Sequence, residues 1–196
     1  RIPSGSMEDT LLVGDWLFVN KAIYGPKIPL TDVHLPSLSQ PARDGVVVFE
    51  SPIEPGLNLV KRVIGVAGDT LAMRDGQLIR NGEPQREPYV QHVNPEGNSS
   101  DPGMRWQRQF LVAGVDPERY RPTRDDWGPV VVPPGHYFMM GDNRDASFDS
   151  RYYGFVRREL IKGEPLFIYY SYDPSSPGGL PFLTAIRWDR IGQPIR

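Results

Sequence analysis

The chain has 196 residues, of which 39% are hydrophobic and 23% are charged, a composition typical of a globular protein with a sizeable core. Its formal net charge of -2 provides no basic excess that would favour nucleic acid as a partner. It contains no cysteine, which excludes disulfides, thiolate catalysis and thiolate metal sites.

Glycine and proline, with 20 and 21 residues, divide the chain into short segments and favour strands over long helices. Segments rich in β-branched and aromatic residues predict strands at 16–20, 46–50, 59–66, 70–74, 77–80, 130–132, 136–140 and 165–172. Asp75-Gly76 predicts a tight hairpin between two of them, and only 157–162 has a helical pattern. The predicted fold is mostly β, with a compact antiparallel core.

The region 83–129 differs from its flanks because it is polar, rich in proline and weakly periodic. Its aromatic residues argue against disorder. We therefore expect 1–82 and 130–196 to form the core, with 83–129 inserted as a loop-rich second β region.

The first segment that could carry chemistry is Ser4-Gly5-Ser6-Met7, just before the first predicted strand. Serines this near the start of a sequence are typical of a solvated tail or a helix cap. A serine beside a glycine in a loop is also suited to nucleophilic attack, provided that a neighbouring base removes its proton. The segment alone leaves these three interpretations open.

Histidine is the usual base for serine, and it occurs at His34, His92 and His136, far apart in the sequence. None of them has the spacing of a metal site, and we expect surface or strand-edge positions for all three. The sequence therefore predicts no metal and no cofactor.

A lysine in an apolar strand is the second candidate. Alternation places Leu59, Lys61 and Val63 on one face, and the opposite face is also largely apolar. Such a lysine either extends its amine to water at a strand edge or is desolvated, which lowers its pKa by ~2–3 units. A desolvated lysine can accept a proton from serine at mildly alkaline pH.

The third candidate is the polar run 141–154, which follows an apolar strand. Asp, Asn and Ser side chains bond to their own backbone in ordered loops, and we expect ion pairs of Asp142 with Arg144 and of Asp149 with Arg151. The alternative is a solvated surface loop. The apolar residues at both ends favour a loop folded against the protein.

Three segments resemble, in their order, the motif boxes of bacterial type I signal peptidases: IPSGSMEDTLLVGDWLFVNK, KRVIGVAGDTL and GDNRDASFDSRYYGFV. The ending WDRIGQPIR also resembles theirs. The resemblance implies a fold of the signal-peptidase type. It also implies a membrane-associated serine endopeptidase that removes signal peptides from exported preproteins after small-x-small sequences such as Ala-x-Ala.

The resemblance also implies a role for each matching residue. Ser6 is the expected nucleophile and Lys61 the expected general base, while the Ser4 hydroxyl joins the backbone N–H of Ser6 in the oxyanion hole. The expected supporting residues are Ser147, Asp149 and Arg151. The residues expected to form shallow apolar pockets for the substrate are Ile2, Met7, Leu11, Leu59 and Val60.

The resemblance further implies a location at the bacterial cytoplasmic membrane, with the catalytic domain on the outer (periplasmic or extracytoplasmic) side and an anchor upstream of Arg1. The implied partners are preprotein signal peptides and the surface of the lipid bilayer, and a monomer is compatible with them. One residue departs from the family pattern. Asp9 stands where the box Ser-Met-x-Pro-Thr-Leu has proline, and it adds a negative charge near Ser6.

Two other functions stay open on the sequence. A related Ser/Lys peptidase would process pilin-type or other dedicated precursors, and a catalytically silent module with the same fold would bind preproteins. The presence of Ser6, Lys61 and Ser147 argues against the silent module.

Overall fold

The computed structural model of the protein describes residues 1–25, 37–94, 97–98, 100–177 and 179–196. His34 lies outside the described residues, so its predicted surface position is not tested. No helix within these ranges is long and apolar enough to cross a membrane.

The described residues form two antiparallel sheets. In chain order the strands are β1 (Asp15–Asn20), β2 (Val46–Glu50), β3 (Asn58–Gly65), β4 (Thr70–Arg74), β5 (Gln77–Arg80), β6 (Glu83–Pro84), β7 (Trp127–Val131), β8 (His136–Met140), β9 (Val156–Arg157) and β10 (Ile161–Ser171). The larger sheet has the order β1-β10-β2-β3-β8-β9, and the smaller one β6-β5-β4-β7. Because β3 pairs with β2 on one side and β8 on the other, Lys61 lies in an interior strand.

Helical segments are short. They are the α-helices α1 (Ser150–Tyr153) and α2 (Pro181–Thr184) and the 3₁₀ segments Ala22–Tyr24, Pro102–Gln109, Arg158–Leu160 and Trp188–Arg190. The α1 helix is capped by Asp149, whose side chain accepts a hydrogen bond from the backbone of Arg151, so this turn starts at a carboxylate of the predicted site.

Apolar side chains fill three clusters. One lies against the smaller sheet and contains Leu71 and Trp127. Another is built on β2 and β3 around Phe49 and Val63. The third contains Ile2, Met7 and Leu11 together with Val46 and Ile168. This third cluster fixes the chain before β1 to the larger sheet, although that chain contains no regular helix or strand.

The mostly β, antiparallel fold class is confirmed. The hairpin at Asp75-Gly76 is confirmed as well, because both residues have positive φ, 48° and 77°, between the paired residues Arg74 and Gln77.

The helix predicted over 157–162 was wrong, since only Arg158–Leu160 forms a 3₁₀ turn. Sheet pairing overrides the helical pattern at both ends, where Arg157 pairs with His136 and Ile161 with Phe49. The division into domains at residues 82 and 129 stays a prediction, and the smaller sheet combines strands from both sides of residue 83.

Candidate active site

Ser6 lies in a folded turn that precedes β1. The backbone N–H of Leu11 donates to the carbonyl of Met7 at 2.7 Å, and that of Glu8 donates to Gly5 at 3.0 Å. Ile2, Met7 and Leu11 point into the core, whereas Ser4 is exposed and Ser6 half-buried. Packing of the apolar residues therefore holds the turn while its serines stay accessible.

The two serines of this turn are neighbours in space. The Ser4 hydroxyl donates to Ser6 Oγ at 3.5 Å, a long hydrogen bond between two groups that a substrate can reach. An added Cβ at Gly5 would meet only the flexible carboxyl of Glu8, at 2.8 Å. Apart from this carboxyl, no atom in the described part of the chain lies close to the Cα of Gly5 on the side where a side chain would stand. The φ of Gly5 is not in the left-handed region.

Lys61 is buried in the middle of β3, with 3% of its surface exposed. Its Nζ donates to the Ser147 hydroxyl at 2.9 Å. Burial lowers the pKa of this amine from 10.5 to about 8, with Asp149 opposing the shift and Arg151 adding to it. Of the two interpretations of the strand pattern, the structure favours the desolvated lysine over one that extends to water at a strand edge.

Asp149 and Arg151 lie behind Ser147 and are fully buried. The guanidinium of Arg151 donates to both carboxylate oxygens of Asp149, at 2.9 and 2.8 Å, so this predicted ion pair is confirmed. Burial alone would raise the pKa of Asp149, but Arg151, Lys61 and the Ser147 hydroxyl hold it below its usual value. The carboxylate therefore stays charged and places a negative charge near the lysine amine.

The predicted ion pair of Asp142 with Arg144 was wrong. Arg62 binds both carboxylate oxygens of Asp142, at 2.8 and 2.7 Å. Arg144 binds Glu87 of the region 83–129, at 2.9 and 2.5 Å. A buried charge requires its own well-aligned partner, and the fold supplies a bidentate partner from another part of the chain to each of these two residues, Arg62 to Asp142 and Glu87 to Arg144.

Gly141 is a residue of the site that the sequence did not single out. A Cβ at this position would lie 2.3 Å from Ser147 Oγ and 2.3 Å from the Ser6 carbonyl oxygen. The glycine thus lets the turn that carries Ser6 and the loop that carries Ser147 approach each other. Its place directly after an apolar strand was the signal that could have identified it.

Asn143 joins the same two loops. Its backbone N–H donates to the Ser6 carbonyl at 3.2 Å, and its side-chain amide donates to the Gly5 carbonyl at 3.3 Å. Asn143 is almost completely buried, so its amide is fixed in place. Nothing in the local sequence indicates this partner, because the contact spans most of the chain.

Ser6 and Lys61 line one cavity of about 330 Å³. Of the predicted substrate-binding residues, those that line it are Ile2, Met7, Leu59 and Val60. Leu11 is fully buried and packs with Ile2 and Met7 beneath the wall, and its role in substrate binding stays a prediction. Phe148 and Tyr153 also line the cavity and are contributions that the sequence did not indicate.

No hydrogen bond joins Ser6 to Lys61 in the described ranges, where the lysine binds Ser147. The two side chains are instead related by the cavity that both of them line. His92 contacts Asp145 at 3.0 Å and lines a separate cavity of about 520 Å³. His136 bonds to the Pro134 carbonyl.

The chain is similar to proteins of one known family. Residues 1–170 match the family described as "Signal peptidase, peptidase S26". "Signal peptidase I" of Pseudomonas fluorescens is 37% identical over 198 residues, covering 92% of this chain and 67% of that protein. "Signal peptidase I" of Aquifex aeolicus is 32% identical and covers 99% and 88%. The crystal structure of a signal peptidase I from Enterococcus faecalis aligns with a TM-score of 0.44 at 30% identity, covering 64% of this chain and 97% of that one.

Proposed function

The chain belongs to the signal peptidase family, peptidase S26, whose members are hydrolases that remove signal peptides, and we propose that it cleaves preproteins with Ser6 as nucleophile and Lys61 as general base. The observation that carries this proposal is the buried Lys61 amine, which shares a cavity with Ser6 and has a pKa lowered to about 8. Such an amine is partly neutral at mildly alkaline pH and can accept the proton of a serine hydroxyl.

In the proposed acylation step, Lys61 Nζ takes the proton of Ser6 Oγ while this oxygen bonds to the scissile carbonyl carbon. The negative charge on the carbonyl oxygen is stabilised by the Ser4 hydroxyl and the Ser6 backbone N–H. The lysine ammonium then gives its proton to the leaving amine as the C–N bond breaks. Lys61 then takes a proton from a water molecule as the water oxygen bonds to the ester carbonyl carbon. The bond from this carbon to Ser6 Oγ breaks, the proton on Lys61 passes to Ser6 Oγ, and the signal peptide is released.

The buried partners give the lysine its orientation. Ser147 holds Nζ through the hydrogen bond of 2.9 Å, and Asp149 and Arg151 brace the loop that carries Ser147. We assign Ser147, Asp149 and Arg151 to positioning on this basis.

The apolar wall supports specificity for small side chains. Ile2, Met7, Leu59 and Val60 surround the cavity next to Ser6, and such a wall favours groups of the size of alanine. One methylene in an apolar pocket changes binding by only ~1–3 kcal/mol, so we also expect backbone pairing of an extended substrate. We propose cleavage after Ala-x-Ala sequences.

The test is cleavage of a peptide that contains Ala-x-Ala, by the wild-type chain and by Ser6→Ala and Lys61→Ala. We expect both variants to lose activity by at least about 10⁴-fold. The wild-type kcat/KM should rise about tenfold per pH unit and level off above the lysine pKa of about 8, because only the neutral amine accepts a proton. Full activity of both variants would disprove the assignment.

A panel of preprotein and propilin substrates separates the two peptidase functions. Cleavage of propilins in preference to preproteins would favour a dedicated precursor peptidase. Absence of cleavage together with preprotein binding would favour a silent module.

We also propose that the enzyme acts at the bilayer surface, on the outer side of the bacterial cytoplasmic membrane. Support comes from one face of β1 and β10, where Trp16, Phe18, Phe167 and Tyr169 are 37–52% exposed. Phe18 and Phe167 stack at 5.3 Å, and Trp16 meets Tyr169 edge-on at 6.3 Å. Aromatic side chains of this kind favour the membrane interface.

Sedimentation with lipid vesicles tests the membrane proposal. The double variant Trp16→Ser/Phe18→Ser should bind vesicles severalfold more weakly, because it removes apolar area worth ~25 cal/mol per Å². Val93→Ser is the matched control, since Val93 is 61% exposed but lies in the region 83–129. Equal binding by all three proteins would contradict the proposal.

A further inference from the structure

Gln91, in the region 83–129, contacts both loops of the site. Its backbone N–H donates to the Asp142 carbonyl at 2.9 Å, and its own carbonyl accepts from the Arg144 N–H at 3.0 Å. These bonds form a short parallel bridge opposite Asn143. The side-chain amide of Gln91 donates to the Asp9 carboxylate at 2.5 Å.

Asp9 lies in the segment 4–11 that carries Ser6, called here the nucleophile turn. Its φ is +74°, in the left-handed region that aspartate tolerates better than most residues but at a cost. It lies between Met7 and Leu11, whose backbone hydrogen bond closes the turn. A hydrogen bond to the Asp9 carboxylate from a residue outside the turn can therefore stabilise this backbone conformation.

Contacts through Asn143, Thr10 and Gln91 connect the nucleophile turn to the loop 141–147. The Asn143 N–H donates to the Ser6 carbonyl at 3.2 Å, and the Thr10 hydroxyl donates to Asp142 at 2.6 Å. The third contact is indirect, because Gln91 bonds to Asp142 and Arg144 through its backbone and to Asp9 through its side chain. Gln91 thus connects the turn of Ser6 to the loop of Ser147, which holds Lys61.

We propose that Gln91 is a positioning residue for catalysis, which fixes the register between Ser6 and Lys61 by holding Asp9 in its left-handed conformation. The inference rests on the proposed Ser6 and Lys61 mechanism. It gives the region 83–129 a part in the reaction, although neither Gln91 nor Asp9 lines the cavity that contains Ser6.

The test begins with Gln91→Ala, which removes the side-chain bond and leaves the backbone bridge in place. Because the contact is exposed to solvent, we expect kcat to fall about three- to tenfold, the range for the net contribution of an ordinary hydrogen bond, with KM within about twofold. The pH at which kcat/KM levels off should not move, because the contacts of Lys61 are untouched. A role in stability alone would leave kcat unchanged below the melting temperature.

Two substitutions of Asp9 separate the hydrogen bond from the backbone conformation. Asp9→Gly accepts positive φ freely but cannot bind Gln91, so kcat should fall as in Gln91→Ala. Asp9→Asn tolerates the same φ and offers a carbonyl oxygen to the glutamine amide, so it should retain most of the activity. This rescue by the conservative variant isolates the contact.

The double variant Gln91→Ala/Asp9→Gly closes a mutant cycle. If the contact positions the turn, the double variant loses no more kcat than either single one. Gln77→Ala is the matched control, because Gln77 donates to the Gln85 carbonyl in the smaller sheet and should leave kcat unchanged.

Additive losses in the cycle, or an unchanged kcat in Gln91→Ala, would overturn the positioning role. The wild-type chain, Ser6→Ala and Lys61→Ala are measured alongside. If those two variants stay active, the proposed mechanism fails; if they are inactive and the cycle is additive, only the role of Gln91 fails.

Discussion

The two sides of the cavity differ in their access to water. Ser4 and Ser6 stand on a partly exposed turn, whereas Lys61 and Ser147 are 3% and 5% exposed. In the proposed mechanism Ser6 has to meet a polypeptide substrate, so its turn must stay accessible. A lysine becomes a base at mild pH only when water is excluded from its ammonium form, so burial on this side is part of the chemistry.

The two sides are also held differently. Backbone hydrogen bonds and a few apolar residues fix the nucleophile turn. Buried bidentate ion pairs fix the lysine side, including Arg151 with Asp149 and Arg62 with Asp142. Such pairs have strict geometry and are costly to break. Buried ion pairs are therefore concentrated around Lys61, and three substitutions compare the two sides of the cavity.

The largest expected effect is on the lysine side. Asp149→Asn leaves Arg151 buried without a carboxylate, which should lower the free energy of unfolding by ~3–5 kcal/mol. Asp116→Asn is the control, because its pair with Arg119 is 3.5 Å long and exposed and should contribute less than ~1 kcal/mol. Urea unfolding measures both, and equal losses would contradict the comparison.

The next effect has the opposite sign. The pKa of Lys61 is about 8 in the folded protein against 10.5 unfolded, so below pH 8 the folded state carries the full cost of a buried ammonium. Unfolding takes up a proton between these values, and stability should rise with pH across that window. Lys61→Met should therefore stabilise the protein by about 3 kcal/mol at pH 7.

Denaturant unfolding of wild type and Lys61→Met at pH 7 and near pH 10 checks this sign. The advantage of the variant should shrink as pH rises through the window. A variant that is less stable than the wild type at pH 7 would show that the lysine is not desolvated in solution.

The smallest expected effect on stability is at Gly141, where the turn of Ser6 and the loop of Ser147 meet. Gly141→Ala would force Ser147 and the Ser6 carbonyl apart, and overpacking of this kind costs ~1–3 kcal/mol. Activity should fall by far more, at least about 100-fold, because displacements of about 1 Å have such effects on catalysis.

Gly179→Ala is the control for Gly141→Ala, since a Cβ at Gly179 would meet no atom of the described residues within 4 Å. Calorimetry gives the stability of both glycine variants and peptide cleavage gives their activity. A Gly141→Ala enzyme with wild-type kcat would mean that the two loops need not approach so closely.

Local pattern predicted the strands well, because alternation and turn residues act over a few positions. β2, β4 and β8 have the predicted bounds. The burial of Lys61 was one of the two interpretations that the pattern of its strand left open. The helix over 157–162 was wrong because its ends pair in the sheet.

Long-range contacts of the site could not be predicted from the sequence. The partners of Asp142 and Arg144 are 80 and 57 residues away, and no local rule selects between equivalent charges at such separations. Gly141 and Asn143 lie in the polar run that the sequence singled out, but the sequence did not indicate their roles. These roles depend on contacts with the turn of Ser6, which the folded chain brings against them.

The left-handed backbone of Asp9 limits how this chain can exchange parts with its relatives. Proline has φ fixed near −65°, whereas φ at residue 9 is +74°. A segment Ser-Met-x-Pro-Thr-Leu could therefore replace 6–11 only if the backbone conformation at residue 9 changed. A chimera would have to carry its own partner for that turn in place of Gln91. In this enzyme the segment 6–11 and the region 83–129 are joined by the hydrogen bond from Gln91 to Asp9, although about eighty residues of sequence separate these two residues.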